Sequence, residues 1–275
     1  MVRQVCEERR AAPAPLSRRP AGRKRPARTV APLGRIESWG FYDIPGIGRR
    51  GVRVYVPRGE AERSVVVLFD GQNVFDDEGS FAGGWHAHRA AERVVTKKRP
   101  APIVVGIDHG YGARQYELLP FAGSRSRGAL DALVAFLRGR LARDVRLRFG
   151  IPDVPARWVV GGASLGGVAA LYAHFAAPEV FGGALCMSPS FGITGRRLFD
   201  WVAAQPLPWT SRIYLDCGVR EGRGTTLPRV AAMARLLRAR DYGDDRLRFR
   251  RDARGRHDEK SWRWRLPGAL RFLLK

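Results

Sequence analysis

Beyond residue 33 the apolar positions fall into two alternating patterns. Short apolar runs at 64–69, 103–107, 158–160, 183–187 and 212–216 predict buried strands, and a weaker run at 246–251 predicts another. Between them, stretches with helical spacing predict helices over 86–95, 129–147, 168–175, 196–203, 227–240 and 262–274. Residues 36–43 and 52–56 alternate polar and apolar positions, as an opening antiparallel pair would. Strand and helix alternation of this kind implies a mostly parallel sheet with helices on both faces. Catalytic loops would then gather at the carboxyl ends of the strands. Only residues 188–208 are available for an insertion there, which is too short for a large cap domain, and no internal repeat is evident.

With 275 residues and 45% hydrophobic content the chain can bury a large core, and residues 34–275 are expected to form one domain. No run reaches the roughly 18 apolar residues of a membrane span, and the N-terminus lacks the apolar segment of a secretory signal. The expected location is therefore cytoplasmic, without membrane association. Three cysteines, Cys6, Cys186 and Cys217, do not make a disulfide framework, and the last two sit in strand-like runs as small hydrophobes.

Charge changes the picture more. The formal net charge is +23, and 44 of the 49 basic residues are Arg. Residues 1–33 hold nine Lys or Arg against two Glu in an Ala- and Pro-rich context, and read as a disordered basic tail. That segment supplies only +7 of the total. A protein this basic should attract polyanions at low salt and steer anionic substrates toward itself. However, Arg is scattered along every predicted helix, and no helix-turn-helix, zinc-finger or RRM signature accompanies it. No specific nucleic-acid partner is expected.

The densest chemistry lies at Gly162-Ala163-Ser164-Leu165-Gly166, between a predicted strand and a predicted helix. Small residues on both sides allow a sharp turn that exposes a serine hydroxyl, as a nucleophile requires. The backbone N–H of Leu165 would then help to stabilise an oxyanion. A serine nucleophile needs a base and an acid to orient it, and both follow. His257 lies in the loop Arg254-Gly255-Arg256-His257-Asp258 before the last helix, and Asp216 and Glu221 flank the end of the 212–216 strand. Other histidines are weaker candidates: His86 and His88 would face apart on a helix, His109 borders a Gly-rich loop, and His174 sits on the helix after Ser164. No Cys or carboxylate cluster joins His86 and His88, so no metal site is expected.

Four segments together carry a family resemblance: Leu68-Phe69-Asp70-Gly71-Gln72-Asn73-Val74-Phe75, the turn Gly162-Ala163-Ser164-Leu165-Gly166 with its trailing Pro178-Glu179-Val180-Phe181-Gly182, Ser188-Pro189-Ser190-Phe191, and the His257 segment. Residues 36–274 resemble the esterases of the α/β-hydrolase superfamily that include enterochelin esterase, S-formylglutathione hydrolase, feruloyl esterase and mycolyltransferase. The resemblance implies an α/β-hydrolase fold, with a mostly parallel central sheet covered by helices on both faces. It implies a serine esterase working through an acyl-enzyme, without cofactor or metal, on a small-molecule ester. It further implies that the backbone N–H of Gln72 is the second oxyanion donor and that Asp70 shapes the turn before it. Gly218-Val219-Arg220-Glu221 looks like the family's Gly-x-x-acid element, which favours Glu221 over Asp216. Arg114-Gln115-Tyr116-Glu117 resembles a family loop in which a Tyr follows, but Leu118 stands in that place; Arg114 and Glu117 are expected to form an ion pair or to touch substrate. Acyl and alcohol specificity are not legible. Acyl transfer on the same triad and polyanion binding through the Arg-rich surface are the alternative functions.

Overall fold

The structure is a computed structural model that describes residues 34–274 apart from 60, 81, 123–125 and 209. The tail expected over residues 1–33 lies outside the described residues. Eight strands form one sheet: β1 (Gly34–Ile44), β2 (Gly48–Pro57), β3 (Val65–Phe69), β4 (Ile103–Ile107), β5 (Trp158–Ala163), β6 (Gly183–Met187), β7 (Arg212–Gly218) and β8 (Leu247–Asp252), in the order β1-β2-β4-β3-β5-β6-β7-β8. β1 pairs antiparallel with β2, and β2 with β4; every other neighbouring pair is parallel. The longer α-helices are α1 (Ala87–Arg93), α2 (Leu130–Phe136), α3 (Ala142–Phe149), α4 (Leu165–Ala176), α5 (Arg196–Ala204), α6 (Thr226–Ala239) and α7 (Glu259–Leu273).

Continuous apolar runs become central strands because both faces are covered. Val65, Val67 and Phe69 of β3 point into one core, shared with α2, α4, α5 and α6. Val66 and Leu68 point into the other, under α1 and α7. The same two-residue alternation divides Ala184 and Cys186 from Leu185 and Met187 on β6. Each such fully buried Val or Leu contributes roughly 1.5–3 kcal/mol. The parallel strands all end on one edge of the sheet, so the turns after β3, β5, β6, β7 and β8 are neighbours there.

Several helices differ from their predicted bounds: α1 is shorter than 86–95, α4 starts at Leu165 and not at 168, and two further differences have a visible cause. The stretch expected as one helix over 129–147 is α2 and α3 joined by a π-helical turn, Leu137–Leu141. The wider turn keeps Leu137 and Leu141 in the core while Arg138, Gly139 and Arg140 stay outside. The last helix starts three residues before the predicted 262, because Asp258 caps it: its Oδ1 accepts the Ser261 N–H at 2.8 Å. Among the described residues, no helix is long and apolar enough to cross a membrane.

Candidate active site

Three non-glycine residues with positive φ stand one position beyond the carboxyl ends of three adjacent strands: Asp70 (φ 59°) after β3, Ser164 (φ 57°) after β5 and Ser188 (φ 43°) after β6. Such backbone costs on the order of 1–3 kcal/mol per residue and persists only where its surroundings enforce it. At Ser164 the enforcement is visible. A Cβ on Gly162 would lie 2.5 Å from the backbone carbon of Gly166, so the strand and the following helix meet without side chains between them. Ser164 N–H donates to Met187 O at 3.0 Å, and Ser164 O accepts from Ser190 N–H at 3.1 Å. The hydroxyl is thereby presented beyond the sheet edge, at the start of α4.

His257, in the loop between β8 and α7, reaches that hydroxyl. Its Nε2 is 2.9 Å from Ser164 Oγ, and its Nδ1 is 2.9 Å from Glu221 Oε2. The Trp262 ring packs edge-on against the imidazole, with centroids 5.2 Å apart. Glu221 lies in the turn after β7, where a Cβ on Gly218 would stand 2.2 Å from Gly255 O and 2.7 Å from Glu221 Oε1. Its Oε1 accepts from Ser188 Oγ and from Gly218 N–H, each at 2.8 Å. Burial pushes the Glu221 carboxyl up, but the hydrogen bonds from His257, Ser188 and Gly218 outweigh it and hold the group below the usual glutamate range.

Asp216, the other acid flanking this strand end, is engaged elsewhere. It is fully buried; its Oδ2 accepts from Arg265 Nε at 2.8 Å and its Oδ1 from Ser188 N–H at 3.0 Å. Burial pushes its carboxyl up to about 6, against the pull of Arg265. Ser190 was not singled out as a site residue, yet its Oγ lies 3.0 Å from Ser164 Oγ. The only signal was its place in the Ser188-Pro189-Ser190-Phe191 segment.

Ser164 and His257 open into a cleft of about 610 Å³ that Gln72, His109, Tyr111, Trp85, Trp262 and Glu259 help to line. Gln72 sits in a tight turn, Gly71–Asn73, and its side chain is locked against the next loop: Nε2 donates to His109 O at 2.8 Å, and Oε1 accepts from His109 N–H at 3.3 Å. Leu165 is the first residue of α4, where a backbone N–H has no partner within the helix. Burial lowers the affinity of His109 for a proton, and it raises the Glu259 carboxyl. Glu259 and the indoles of Trp85 and Trp262 carried no motif, so the sequence did not single them out.

Arg114 and Glu117 are both paired, but not with each other. Arg114 clasps Asp70 through Nε (2.6 Å) and Nη2 (2.9 Å), which ties the turn after β3 to the cleft wall. Glu117 takes Arg50 Nε at 3.0 Å and the Gly110 N–H at 3.1 Å. The partners come instead from β2 (Arg50) and from the turn after β3 (Asp70). His86 precedes α1 at φ 51° and contacts Asp77 at 3.0 Å, while His88 and His174 are buried. Among the described residues, no group of three His, Cys, Asp or Glu side chains is arranged to hold a metal ion. Cys186 and Cys217 are buried free thiols, and burial pushes Cys217 up to about 12.

The family described as "Putative esterase" matches residues 47–273. The chain belongs to this esterase family. Iron(III) salmochelin esterase of Escherichia coli O6:H1 is 32% identical over 211 residues, a match covering 68% of this chain and 46% of that protein. The chain thus spans about half the length of that curated relative. Among solved structures, the enterobactin esterase FES from Shigella flexneri in the presence of enterobactin superposes with a TM-score of 0.70 at 23% identity, covering 88% of this chain and 59% of that one. The siderophore hydrolase EstB from Aspergillus nidulans gives 0.65 at 20% identity and covers 89% and 97%. These structural likenesses show the α/β-hydrolase fold for this chain.

Proposed function

We propose that residues 34–275 act as a serine carboxylesterase with Ser164 as nucleophile, His257 as base and acid, and Glu221 as the acid that orients His257. The observation that carries this reading is the line from Ser164 Oγ through His257 to Glu221, with 2.9 Å at each contact. In the reaction, Ser164 Oγ attacks the ester carbonyl as its proton passes to His257 Nε2, and the imidazolium returns that proton to the departing alcohol. Water, deprotonated by the same nitrogen, then attacks the acyl-enzyme, and the imidazolium returns that proton to Ser164 Oγ as the bond to the acyl carbon breaks and the acid leaves. The N–H groups of Leu165 and Gln72 receive the developing oxyanion, and Ser190 Oγ donates to Ser164 Oγ while the serine proton points to His257.

The relatives point toward siderophore esters as the substrate class, and the cleft walls of Trp85, Trp262 and Tyr111 suit an aromatic acyl group. The test is labelling of the intact protein with a fluorophosphonate, followed by hydrolysis of short p-nitrophenyl and 2,3-dihydroxybenzoyl-serine esters. Ser164 should be the labelled residue, and Ser164→Ala should lower kcat by about 10⁴-fold or more. Labelling elsewhere, or full activity of the Ala variant, would overturn the assignment.

A further inference from the structure

Behind Glu221 the hydrogen bonds continue into the core. Ser188 Oγ, which donates to Glu221 Oε1, is itself met by Trp262 Nε1 at 3.0 Å and by Arg265 Nη2 at 2.8 Å. An indole N–H and a guanidinium can only donate. Ser188 therefore has one place for its own hydroxyl hydrogen, on Glu221 Oε1. That oxygen also receives the Gly218 N–H, so a proton on Glu221 would have to sit on Oε2 and be given to His257 Nδ1. The remaining ring proton would then stand on Nε2, facing Ser164, and that tautomer cannot accept the serine proton.

Building on the triad proposed above, we infer that Ser188 is a positioning residue for Glu221, and that Trp262 and Arg265 set the direction of every hydrogen bond from the core to Ser164. Arg265 is held as rigidly as such a role requires. It is 1% exposed, with Nε on Asp216 Oδ2 at 2.8 Å, Nη1 3.3 Å from Asp252 Oδ2, and Nη2 3.8 Å from Glu221 Oε1. Its charge disfavours a neutral Glu221, and Asp216 is its buried counterion. Ser188 takes part at the cost of a strained backbone, φ 43°, anchored by its N–H on Asp216 O and Oδ1, both at 3.0 Å. Glycine would adopt that backbone freely, so what serine adds at this position is the hydroxyl.

Ser188→Gly and Ser188→Ala separate the two roles, because both delete the hydroxyl while only Gly relieves the strain. Both should lower kcat on p-nitrophenyl acetate by about 10- to 100-fold with KM within about twofold. Both should also shift or broaden the downfield proton resonance of His257 Nδ1–H, which a merely structural residue would leave in place. Trp262→Phe keeps the ring against His257 and removes one of the two donors to Ser188; it should lower kcat several-fold and move the same resonance. A Ser188→Gly enzyme with wild-type kcat and an unmoved resonance overturns the inference. If neither Ser188 variant folds, an unchanged Trp262→Phe enzyme overturns it. Failure of the esterase reading would be seen separately, as wild-type enzyme that a fluorophosphonate does not label at Ser164.

Discussion

At the scale of single residues, the two acids near the end of β7 differ in what each would lose as an amide. In Glu221→Gln, the amide oxygen would stay under the Ser188 and Gly218 donors, and the NH₂ would face His257 Nδ1. Two donors cannot share that contact, so the ring would turn to its other tautomer. We expect kcat to fall by about 10⁴-fold with the melting temperature nearly unchanged. Asp216→Asn would instead set an amide against Arg265 Nε and leave a fully buried guanidinium with only its longer contacts to Asp252 and Glu221 as ionic partners. Breaking a buried pair costs about 3 kcal/mol or more, which in a domain of this size lowers the melting temperature by roughly 6–12 °C. Steady-state kinetics and thermal melts on both variants check the ranking; a larger kcat loss in Asp216→Asn would transfer the orienting role to Asp216.

At the scale of elements, α4 carries a pH dependence of its own. His174 is fully buried on it, with Nδ1 2.9 Å from Phe181 O and Nε2 without a partner among the described residues. Burial drives it down to about 4 from an unfolded value of 6.5. The unfolded chain therefore binds a proton between those two values that the folded chain refuses, and stability falls as pH falls through that window, by about 3 kcal/mol in all. His174→Asn keeps a donor for Phe181 O and removes the titration. Denaturant melts should show the variant less stable than wild type at pH 7.5 and close to it, or above it, at pH 4.5. An equal difference at both pH values would remove His174 as the cause. The elements themselves were legible wherever burial was two-sided. β3 through β7 read as apolar runs because both faces are covered, and the Gly-x-Ser-x-Gly turn was legible because Gly162 and Gly166 meet backbone to backbone. What stayed hidden is set by partners distant in the chain. Arg114 reads as a neighbour of Glu117 until Asp70, 44 residues away, claims it. Arg265 reads as one more Arg of a helix until the fold buries it against Asp216. The start of α7 was missed because its first turn, Glu259-Lys260-Ser261, has no apolar residue, and the Asp258 cap was the available signal.

At the scale of the whole molecule, the net charge of +23 is the property with the longest reach. The nine Lys or Arg and two Glu of residues 1–33 leave +16 on the rest of the chain. Because residues 1–33 lack an apolar pattern, removing them should change neither the melting temperature of the remaining chain nor its hydrolysis of a neutral ester. The remaining charge should act on encounter rather than on chemistry. Its field extends about a Debye length, roughly 10 Å at 0.1 M salt, and steering of an oppositely charged partner typically raises association by about 10-fold or more. For a pair of esters alike in acyl group, one with an anionic alcohol and one neutral, kcat/KM of the anionic substrate should fall about 10-fold as ionic strength rises from roughly 10 mM to 0.5 M. That of the neutral one should stay level, and kcat should be flat for both, because screening weakens approach and leaves the contacts around Ser164 intact. Binding to DNA or RNA should follow the same rule, weak and indifferent to sequence, with affinity dropping steeply as salt displaces the counterion gain. Equal salt profiles for the two esters would show the positive charge to lie too far from the cleft to steer. Sequence-selective retention in a gel shift at physiological salt would instead give the Arg-rich surface a function of its own.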